Sequence, residues 1–207
     1  MAFTYFFRDM QTLDTIKDFA LPYLKTCQHI KIWDAGCAMG PEPYSLAIIL
    51  RENMTYRNFK NVEIISSDID GSDLIEKVIA EGSYPRTEVQ RIPELILNKY
   101  FIPNSDKTSY TILSEIRNSV KFMKHDLLTL VPVEKDVGLI VCKNVLLHFT
   151  QEERIKVFKM FYDALSEGGF LATEQTQKLP EEVKYLFEPV VSNAQVFRKL
   201  STGGRLI

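Results

Sequence analysis

The sequence predicts an α/β fold: a doubly wound, mostly parallel sheet with one small antiparallel ribbon inserted in it. Strand-like apolar runs alternate with helical runs along most of the chain, which is typical of a parallel sheet covered by helices. A turn with two glycines joins the first of these strands to the next helix. The chain has 207 residues, of which 45% are hydrophobic, so we expect a single domain over residues 1–207.

The segment from Ile30 to Leu50 reads as a strand, a glycine turn and a helix that begins at about Glu42. Gly36 and Gly40 allow a tight bend and let a ligand approach where no Cβ stands in the way. A dinucleotide site would place pyrophosphate at this helix N-terminus, where the Glu42 carboxylate would repel it. The acid suits a positively charged ligand, such as the amino group and sulfonium of S-adenosylmethionine. The alternative is that Glu42 only complements the helix dipole.

Composition and charge exclude several classes of partner. A net charge of -2 offers no overall field that would attract nucleic acid or an anionic membrane, so we expect no nucleic-acid partner. Three cysteines, Cys27, Cys37 and Cys142, and no Cys/His cluster with metal-ligand spacing indicate reduced thiols and no metal site. Because no uninterrupted apolar run approaches about 18 residues, we expect a cytoplasmic protein that is neither exported nor embedded in a membrane.

The glycine turn is flanked by a predicted helix and a predicted second strand. Helical spacing from residue 11 to about residue 26 indicates the helix, which Pro22 kinks or ends. The strand runs from Val62 to Asp70 and places Asp68 at the carboxyl edge of the sheet, where a carboxylate can accept ribose hydroxyls. The alternative is an N-cap of the next helix, for which Asp70 is the better placed acid.

The middle of the chain interrupts the α/β alternation. Residues 85–99 hold two prolines and read as a short helical hairpin. Residues from about 100 to 122 read as a small antiparallel ribbon, because Asn104-Ser105-Asp106 separates two runs of β-forming residues.

The alternation resumes with a predicted strand from Asp136 to Asn144. Thr150 and Glu153 form a capping-box pattern ahead of a helix, and Gly168-Gly169 is predicted to end that helix. Two further strands, the last with the sequence V-F-R-K-L, complete the predicted sheet.

Four segments that border predicted strands carry polar or glycine residues: 36–42, Asp68, Asp126-Leu127 and Lys143-Asn144. Ligands of open α/β sheets bind outside the carboxyl ends of the strands. We therefore expect the four segments to meet at one site.

Five motifs occur in a familiar order: T-Y-F-F-R-D (4–9), W-D-A-G-C-A-M-G-P-E-P-Y-S-L-A (33–47), S-D-I-D (67–70), K-H-D-L-L (124–128) and C-K-N-V-L-L-H-F (142–149). Together they cover nearly the whole chain, and with them the sequence resembles the chemotaxis receptor methyltransferase family, CheR. The resemblance implies a class I methyltransferase (Rossmann-like) fold and S-adenosylmethionine as cofactor, with S-adenosylhomocysteine as product. It also implies methyl esterification of glutamate side chains on the cytoplasmic helices of chemoreceptors, by a protein that we expect to be a monomer.

The resemblance also assigns roles to residues. Around the turn with Gly36 and Gly40, the cofactor would contact Thr4 and Arg8 at its methionine end, Glu42 at its amino group, Asp68 at its ribose, Asp126 and Leu127 at its adenine, and Lys143 and Asn144 beneath its sulfonium.

On the substrate side, Arg8 and His148 are the candidate catalytic residues. Arg8 would bind the incoming carboxylate, and pairing with Asp9 or with the ribbon is its alternative. A lone histidine before a helix, such as His148, is more often a packed or capping group than a catalyst. Cys37 is expected to pack against the cofactor as a small apolar group.

The chain departs from the family pattern at several positions. The family usually has a separate N-terminal helical domain, and this chain starts at the aromatic motif, so we expect a catalytic domain without it. Departures within the motifs are Pro41 for glutamate, Lys143 for arginine and His148 for tyrosine. A late Ser-Glu signature of the family, near the last strands, is replaced by Thr176-Gln177. Two alternatives therefore stay open: a methyltransferase of the same fold for another carboxylate or protein, and a non-catalytic module that senses S-adenosylmethionine. The ribbon either adds a receptor peptide as an extra strand or covers the site as a flap, and we favour the flap.

Overall fold

The computed structural model of the protein describes residues 4–69, 73–176 and 178–201. Its strands are β1 (Ile30–Ala35), β2 (Val62–Asp68), β3 (Ser83–Pro85), β4 (Phe101–Pro103), β5 (Ser109–Ile112), β6 (Val120–Lys124), β7 (Val137–Cys142), β8 (Leu165–Thr173), β9 (Phe187–Pro189) and β10 (Val196–Lys199). Its α-helices are α1 (Met10–Thr15), α2 (Leu21–Leu24), α3 (Pro41–Asn53), α4 (Tyr56–Phe59), α5 (Leu74–Glu81), α6 (Arg86–Val89), α7 (Glu94–Tyr100), α8 (Ser114–Arg117) and α9 (Gln151–Ala164).

The predicted doubly wound sheet is confirmed. Seven strands lie in the order β6-β2-β1-β7-β8-β10-β9, and the pairs from β6 to β8 are all parallel. The last two strands, β10 and β9, are antiparallel to their neighbours. Because β1 pairs with β2 on one side and β7 on the other, the carboxyl ends of these three strands lie side by side.

Hydrophobic cores cover both faces of this sheet. Residues of β1 alternate between them, as a period of two requires. Ile30 and Ile32 belong to the core that includes α3, whereas Trp33 and Ala35 belong to the core that includes α9. The Trp33 ring packs edge to face on Phe161 of α9, with 5.3 Å between the ring centroids.

A separate three-stranded antiparallel sheet, in the order β3-β5-β4, corrects the predicted ribbon. The turn after β4 is present as expected, but β3 was not predicted. The predicted end of the ribbon is wrong, because residues 120–124 form β6 of the main sheet. The reason is long-range pairing: β6 aligns Val120 with Ile64 of β2, which a local pattern cannot reveal. Tyr84 of β3 donates a hydrogen bond of 2.9 Å to the Met39 carbonyl, which ties the small sheet to the glycine turn.

The helix predicted around Pro22 is present, but in three parts. It consists of α1, a π-helical turn over Ile16–Ala20, and α2, which has Pro22 in its first turn. Proline removes one backbone donor and its ring crowds the carbonyl four residues earlier, here that of Asp18. The wider π-helical turn relieves that crowding and lets the chain stay helical through the proline.

Helix α9 begins as predicted, and its end was predicted incorrectly. Thr150 and Glu153 form the reciprocal capping box. The helix ends at Ala164, however, and Gly168-Gly169 lie within β8. A Cβ on Gly169 would lie 3.2 Å from the backbone oxygens of both Val137 and Gly138. This glycine therefore permits close approach between β8 and β7 and does not terminate the helix.

The start of α5 could not be read from the sequence. Asp70, the residue expected to cap it, lies outside the described residues, and the N-cap position is occupied by Asp73. Among the helices of the described ranges, none is long and apolar enough to cross a membrane.

Candidate functional site

A cavity of about 320 Å³ opens at the carboxyl edge of the sheet, beside the ends of β1, β2 and β7. Apart from Gly40, the predicted site residues all line it: Thr4, Arg8, Gly36, Glu42, Asp68, Asp126, Leu127, Lys143, Asn144 and His148. Residues far apart in the sequence meet here because neighbouring parallel strands end at the same edge.

The glycines of the turn serve protein packing. Both have left-handed backbones, with φ of 101° at Gly36 and 95° at Gly40. A Cβ on Gly40 would lie 2.7 Å from the Tyr84 hydroxyl, and one on Gly36 would lie 2.1 Å from Val145 Cγ2. Gly40 thus lies against the small sheet and not at the cavity, in contrast to its expected role in ligand approach.

Asp68 holds the turn and the end of β2 together. Its carboxylate accepts hydrogen bonds from the backbone amides of Ala38, at 2.9 Å, and Ile69, at 2.8 Å. A carboxylate has about four lone-pair sites, so Asp68 can also accept bonds from a ligand in the cavity. The contact with Ala38 shows that this acid shapes the turn itself.

Glu42 and Lys143 form a buried ion pair at the edge of the cavity. Lys143 Nζ lies 3.0 Å from Glu42 Oε2, and the two side chains are only 2% and 11% exposed. The same ammonium donates a hydrogen bond of 3.3 Å to the Arg8 carbonyl. Lys143 therefore joins α3, the end of β7 and the N-terminal segment.

Asp34, which sequence analysis did not single out, lies beneath this pair. Its side chain is 0% exposed, and within the described ranges neither carboxyl oxygen has a hydrogen-bond donor. Burial raises the pKa of Asp34 well above its usual value, and the nearby carboxylate of Glu42 raises it further. The available signal was an acid in an otherwise apolar strand, two residues before the first glycine of the turn.

Glu174 is a second buried acid that the sequence analysis missed. It follows β8, is 4% exposed, and its Oε2 accepts a hydrogen bond of 3.2 Å from the Asn144 amide. Burial raises the pKa of this carboxyl. Asn144 has φ of 62°, so Glu174 supports a left-handed turn in the cavity wall.

The far wall of the cavity comes from the segment after β6. Asp126 accepts a hydrogen bond of 2.9 Å from the Leu128 amide and caps the short 3₁₀ turn Leu127–Thr129. His125 also lines the cavity, and its Nε2 donates to the Val131 carbonyl at 2.7 Å. The result is a largely apolar wall with one carboxylate.

Arg8 and His148 are the predicted substrate-side residues. The Arg8 guanidinium lies 5.9 Å from the centroid of the Tyr5 ring, and Asp9 is engaged as the N-cap of α1 through the Thr12 amide. His148 is exposed in the short turn Leu146–His148, so it is not a packed group. Of the pair Thr176-Gln177, the second residue lies outside the described ranges.

Comparison with known proteins assigns the chain to a family. Residues 2–196 match the family described as "CheR methyltransferase, SAM binding domain". This chain belongs to the CheR methyltransferase family. Curated relatives of this CheR chain include "Chemotaxis protein methyltransferase" of Listeria innocua, 32% identical over 87% of this chain, and "Chemotaxis protein methyltransferase 2" of Vibrio cholerae, 34% identical over 81%. The chain spans 66% and 59% of the length of these two proteins.

Solved structures support the fold of the CheR chain. The rRNA methyltransferase aviRa from Streptomyces viridochromogenes superposes with a TM-score of 0.57, covering 95% of this chain and 86% of its own. At 14% sequence identity, this likeness concerns the class I methyltransferase fold alone.

The residues at the CheR cavity fit S-adenosylmethionine, the cofactor named by the family. Acids at Asp68 and Glu42 suit ribose hydroxyls and an amino group, whereas Ile69, Leu127 and Leu128 offer apolar surface to a base. The cavity volume also falls in the range of about 300–1,000 Å³ that is usual for small-molecule sites.

Cys37 is a correction within this site. It was expected to pack against the cofactor, but its thiol is fully buried in the core that includes α3 and does not line the cavity. Burial also raises the pKa of the Cys37 thiol, so little reactive thiolate forms.

We therefore expect alkylation of Cys37 by iodoacetamide to be slow in the folded CheR chain, and equally slow with and without S-adenosylhomocysteine. Peptide mass spectrometry would measure it, with half-buried Cys27 as the internal control that reacts first. Strong protection of Cys37 by the ligand alone would contradict this placement of the thiol.

Proposed function

We propose that this protein is an S-adenosylmethionine-dependent protein-glutamate O-methyltransferase that acts on the cytoplasmic domains of chemoreceptors. The observation that carries the proposal is the convergence of the polar motif residues on one cavity at the carboxyl edge of the sheet. The names of the Listeria and Vibrio relatives support a role in chemotaxis. A cytoplasmic location follows from the proposed substrate, and we propose a monomer without nucleic-acid partners.

The proposed reaction needs no general base, because a glutamate carboxylate is already ionised at pH 7 and can act as the nucleophile. S-adenosylmethionine, when bound, supplies a methyl group attached to a positively charged sulfur. Asp68 would hold the ribose, Glu42 the amino group, and Asp126 with Leu127 the adenine. Their task is positioning, since orientation of two reactants can contribute much of the rate enhancement.

The apolar part of the cavity wall contributes by excluding water. Val145, Phe149 and Leu128 lie among the polar groups that line the site. Attack of an anionic carboxylate on a cationic methyl donor gives two neutral products, so charge is lost along the reaction and a dry site favours it. Arg8 and His148 would meet the substrate carboxylate on its way to this site.

Transfer of a labelled methyl group to a recombinant receptor cytoplasmic fragment tests the proposal. We expect base-labile label on receptor glutamates, as methyl esters require. Label on other proteins only would contradict the receptor as substrate, and binding of S-adenosylhomocysteine without any transfer would contradict catalysis.

In the same assay, Arg8→Ala should reduce methyl transfer by at least about 100-fold, the loss of roughly 2.7 kcal/mol of charge-assisted binding to the substrate carboxylate. The matched control removes a cation from the tip of the small sheet: Lys107→Asn, where asparagine tolerates the left-handed backbone, φ 57°. That variant should keep nearly full activity. Equal losses in both variants would count against a role of Arg8 in binding the substrate.

A further inference from the structure

Two neighbouring carboxyl groups, that of Asp34 fully buried and that of Glu42 in the cavity wall, each have oxygen atoms without a hydrogen-bond donor in the described residues. Both oxygens of Asp34 are of this kind, and so is Oε1 of Glu42. The other oxygen of Glu42 pairs with Lys143 at 3.0 Å. Asp34 shares its face of β1 with Ile32, whose core includes α3, the helix that carries Glu42.

The charges of this group do not balance if every member is ionised. Asp34 and Glu42 would carry two negative charges against the single positive charge of Lys143, although the Asp34 side chain is fully buried and that of Glu42 is only 11% exposed. Two adjacent buried carboxyls avoid this cost by sharing one proton. A protonated carboxyl also has an O–H donor, which is what Glu42 Oε1 lacks.

We propose that Asp34 is a positioning residue: as a neutral acid it donates a hydrogen bond to Glu42 Oε1, while Lys143 binds Oε2, and together they hold Glu42 at the cavity for the amino group of the cofactor. The inference deepens the proposed function and rests on it, since the ligand amino group is that of S-adenosylmethionine.

The electrostatic surroundings of Asp34 agree with this protonation state. Besides burial, the nearby carboxylates of Glu42 and Asp68 raise the pKa of Asp34. The Lys143 ammonium lowers the pKa of Asp34, but this effect is smaller than the effects of burial and of the Glu42 carboxylate. Two thiols also face Asp34, those of Cys37 and Cys142, and the pKa of each is raised well above its usual value, so both stay neutral.

Loss of the Asp34 donor has a specific consequence for the ligand. Glu42 Oε1 would then be buried without a partner, which is costly for a charged group. The Glu42 side chain would turn toward water in the cavity, and the position of its carboxylate relative to a bound amino group would change. The contacts of the protein with parts of the ligand distant from the amino group, such as the nucleoside, would not change.

Calorimetry with two ligands tests this expectation. S-adenosylhomocysteine has the amino group, whereas 5′-methylthioadenosine has the same nucleoside and lacks the amino acid part. Asp34→Leu should weaken S-adenosylhomocysteine about tenfold or more and methylthioadenosine less than about twofold. Asp34→Asn keeps an N–H donor and should bind S-adenosylhomocysteine within about threefold of the unmodified protein. Equal losses for both ligands, or no loss for either, would overturn the inference.

Thr173→Val is the matched control for removing a buried polar group near the site. Its hydroxyl is fully buried and, within the described part of the chain, unpartnered, on the strand paired with β7. The variant should leave the affinity for both ligands unchanged. A loss as large as that of Asp34→Leu would overturn the specific role of Asp34.

A second readout follows from proton linkage and requires no ligand. An acid whose pKa is raised in the folded protein contributes stability below its ordinary pKa, and this contribution is lost as pH rises toward the raised pKa. The unmodified protein should therefore lose stability relative to Asp34→Asn as pH rises above 3.8, the ordinary pKa of an aspartic acid, as measured by urea unfolding. Parallel pH profiles for the two proteins would overturn the inference.

The two readouts separate the possible failures. If the unmodified protein binds no S-adenosylhomocysteine, the proposed function fails, while the pH profiles still decide the protonation of Asp34. If it binds and Asp34→Leu binds equally well, only the positioning role fails.

Discussion

Replacing Lys143 with methionine should destabilise the folded protein by about 3–5 kcal/mol, because it leaves the Glu42 carboxylate buried without its counter-ion. The variant also removes the bond from Lys143 to the Arg8 carbonyl, which attaches the N-terminal segment to the sheet. Urea unfolding at pH 7 measures the loss. Adding Glu42→Gln to the same protein should restore a large part of the stability, because the uncompensated charge is then gone.

Lys121→Met is the matched control for this change. Lys121 also forms an ion pair, with Glu63, but its side chain is 68% exposed and that of Glu63 is 40% exposed. Exposed pairs contribute about 0–1 kcal/mol, since water screens their attraction. If Lys143→Met were as mild as Lys121→Met, the pair at the cavity would not be the buried junction that the structure describes.

Asp68→Ala should weaken binding of S-adenosylhomocysteine by about 2–3 kcal/mol, which corresponds to hydrogen bonds with a charged acceptor. Two losses contribute: the bonds expected with the ribose hydroxyls, and the bond to the Ala38 amide that shapes the glycine turn. Titration calorimetry on the folded variant measures the change.

Two variants make this result interpretable. Asp68→Asn keeps one oxygen acceptor and should fall between the unmodified protein and Asp68→Ala. Glu63→Ala removes a carboxylate from the opposite end of the same strand and should bind the ligand normally. Unchanged affinity in a folded Asp68→Ala protein would move the ribose contact to another residue.

Local patterns were sufficient for most of the fold. The apolar run before the glycine turn and the capping box at Thr150 and Glu153 concern contacts between residues close in the chain, so they could be read directly. The five ordered motifs likewise identified the residues that meet at the cavity, because strand ends in a parallel sheet share one edge.

Errors arose where a distant strand decided the outcome. Residues 120–124 look like part of a ribbon, but they pair with β2 and extend the main sheet. Gly168-Gly169 look like the end of a helix, but they lie within β8, where Gly169 allows close approach to β7. Cys37 lies in the glycine turn, but its side chain faces the core and not the cavity. Which side of a turn faces the core depends on the elements that pack against it.

The sequence alone determined which residue types border the site, because motif order and strand position depend on the chain itself. Only the tertiary structure decided their partners. Asp34, Glu42 and Lys143 come from β1, α3 and the end of β7, and they meet because β1 lies beside β7 with α3 packed on one face. Their burial, and with it the proton that we assign to Asp34, depends on that packing, because exclusion of water disfavours the charged form of a carboxyl group.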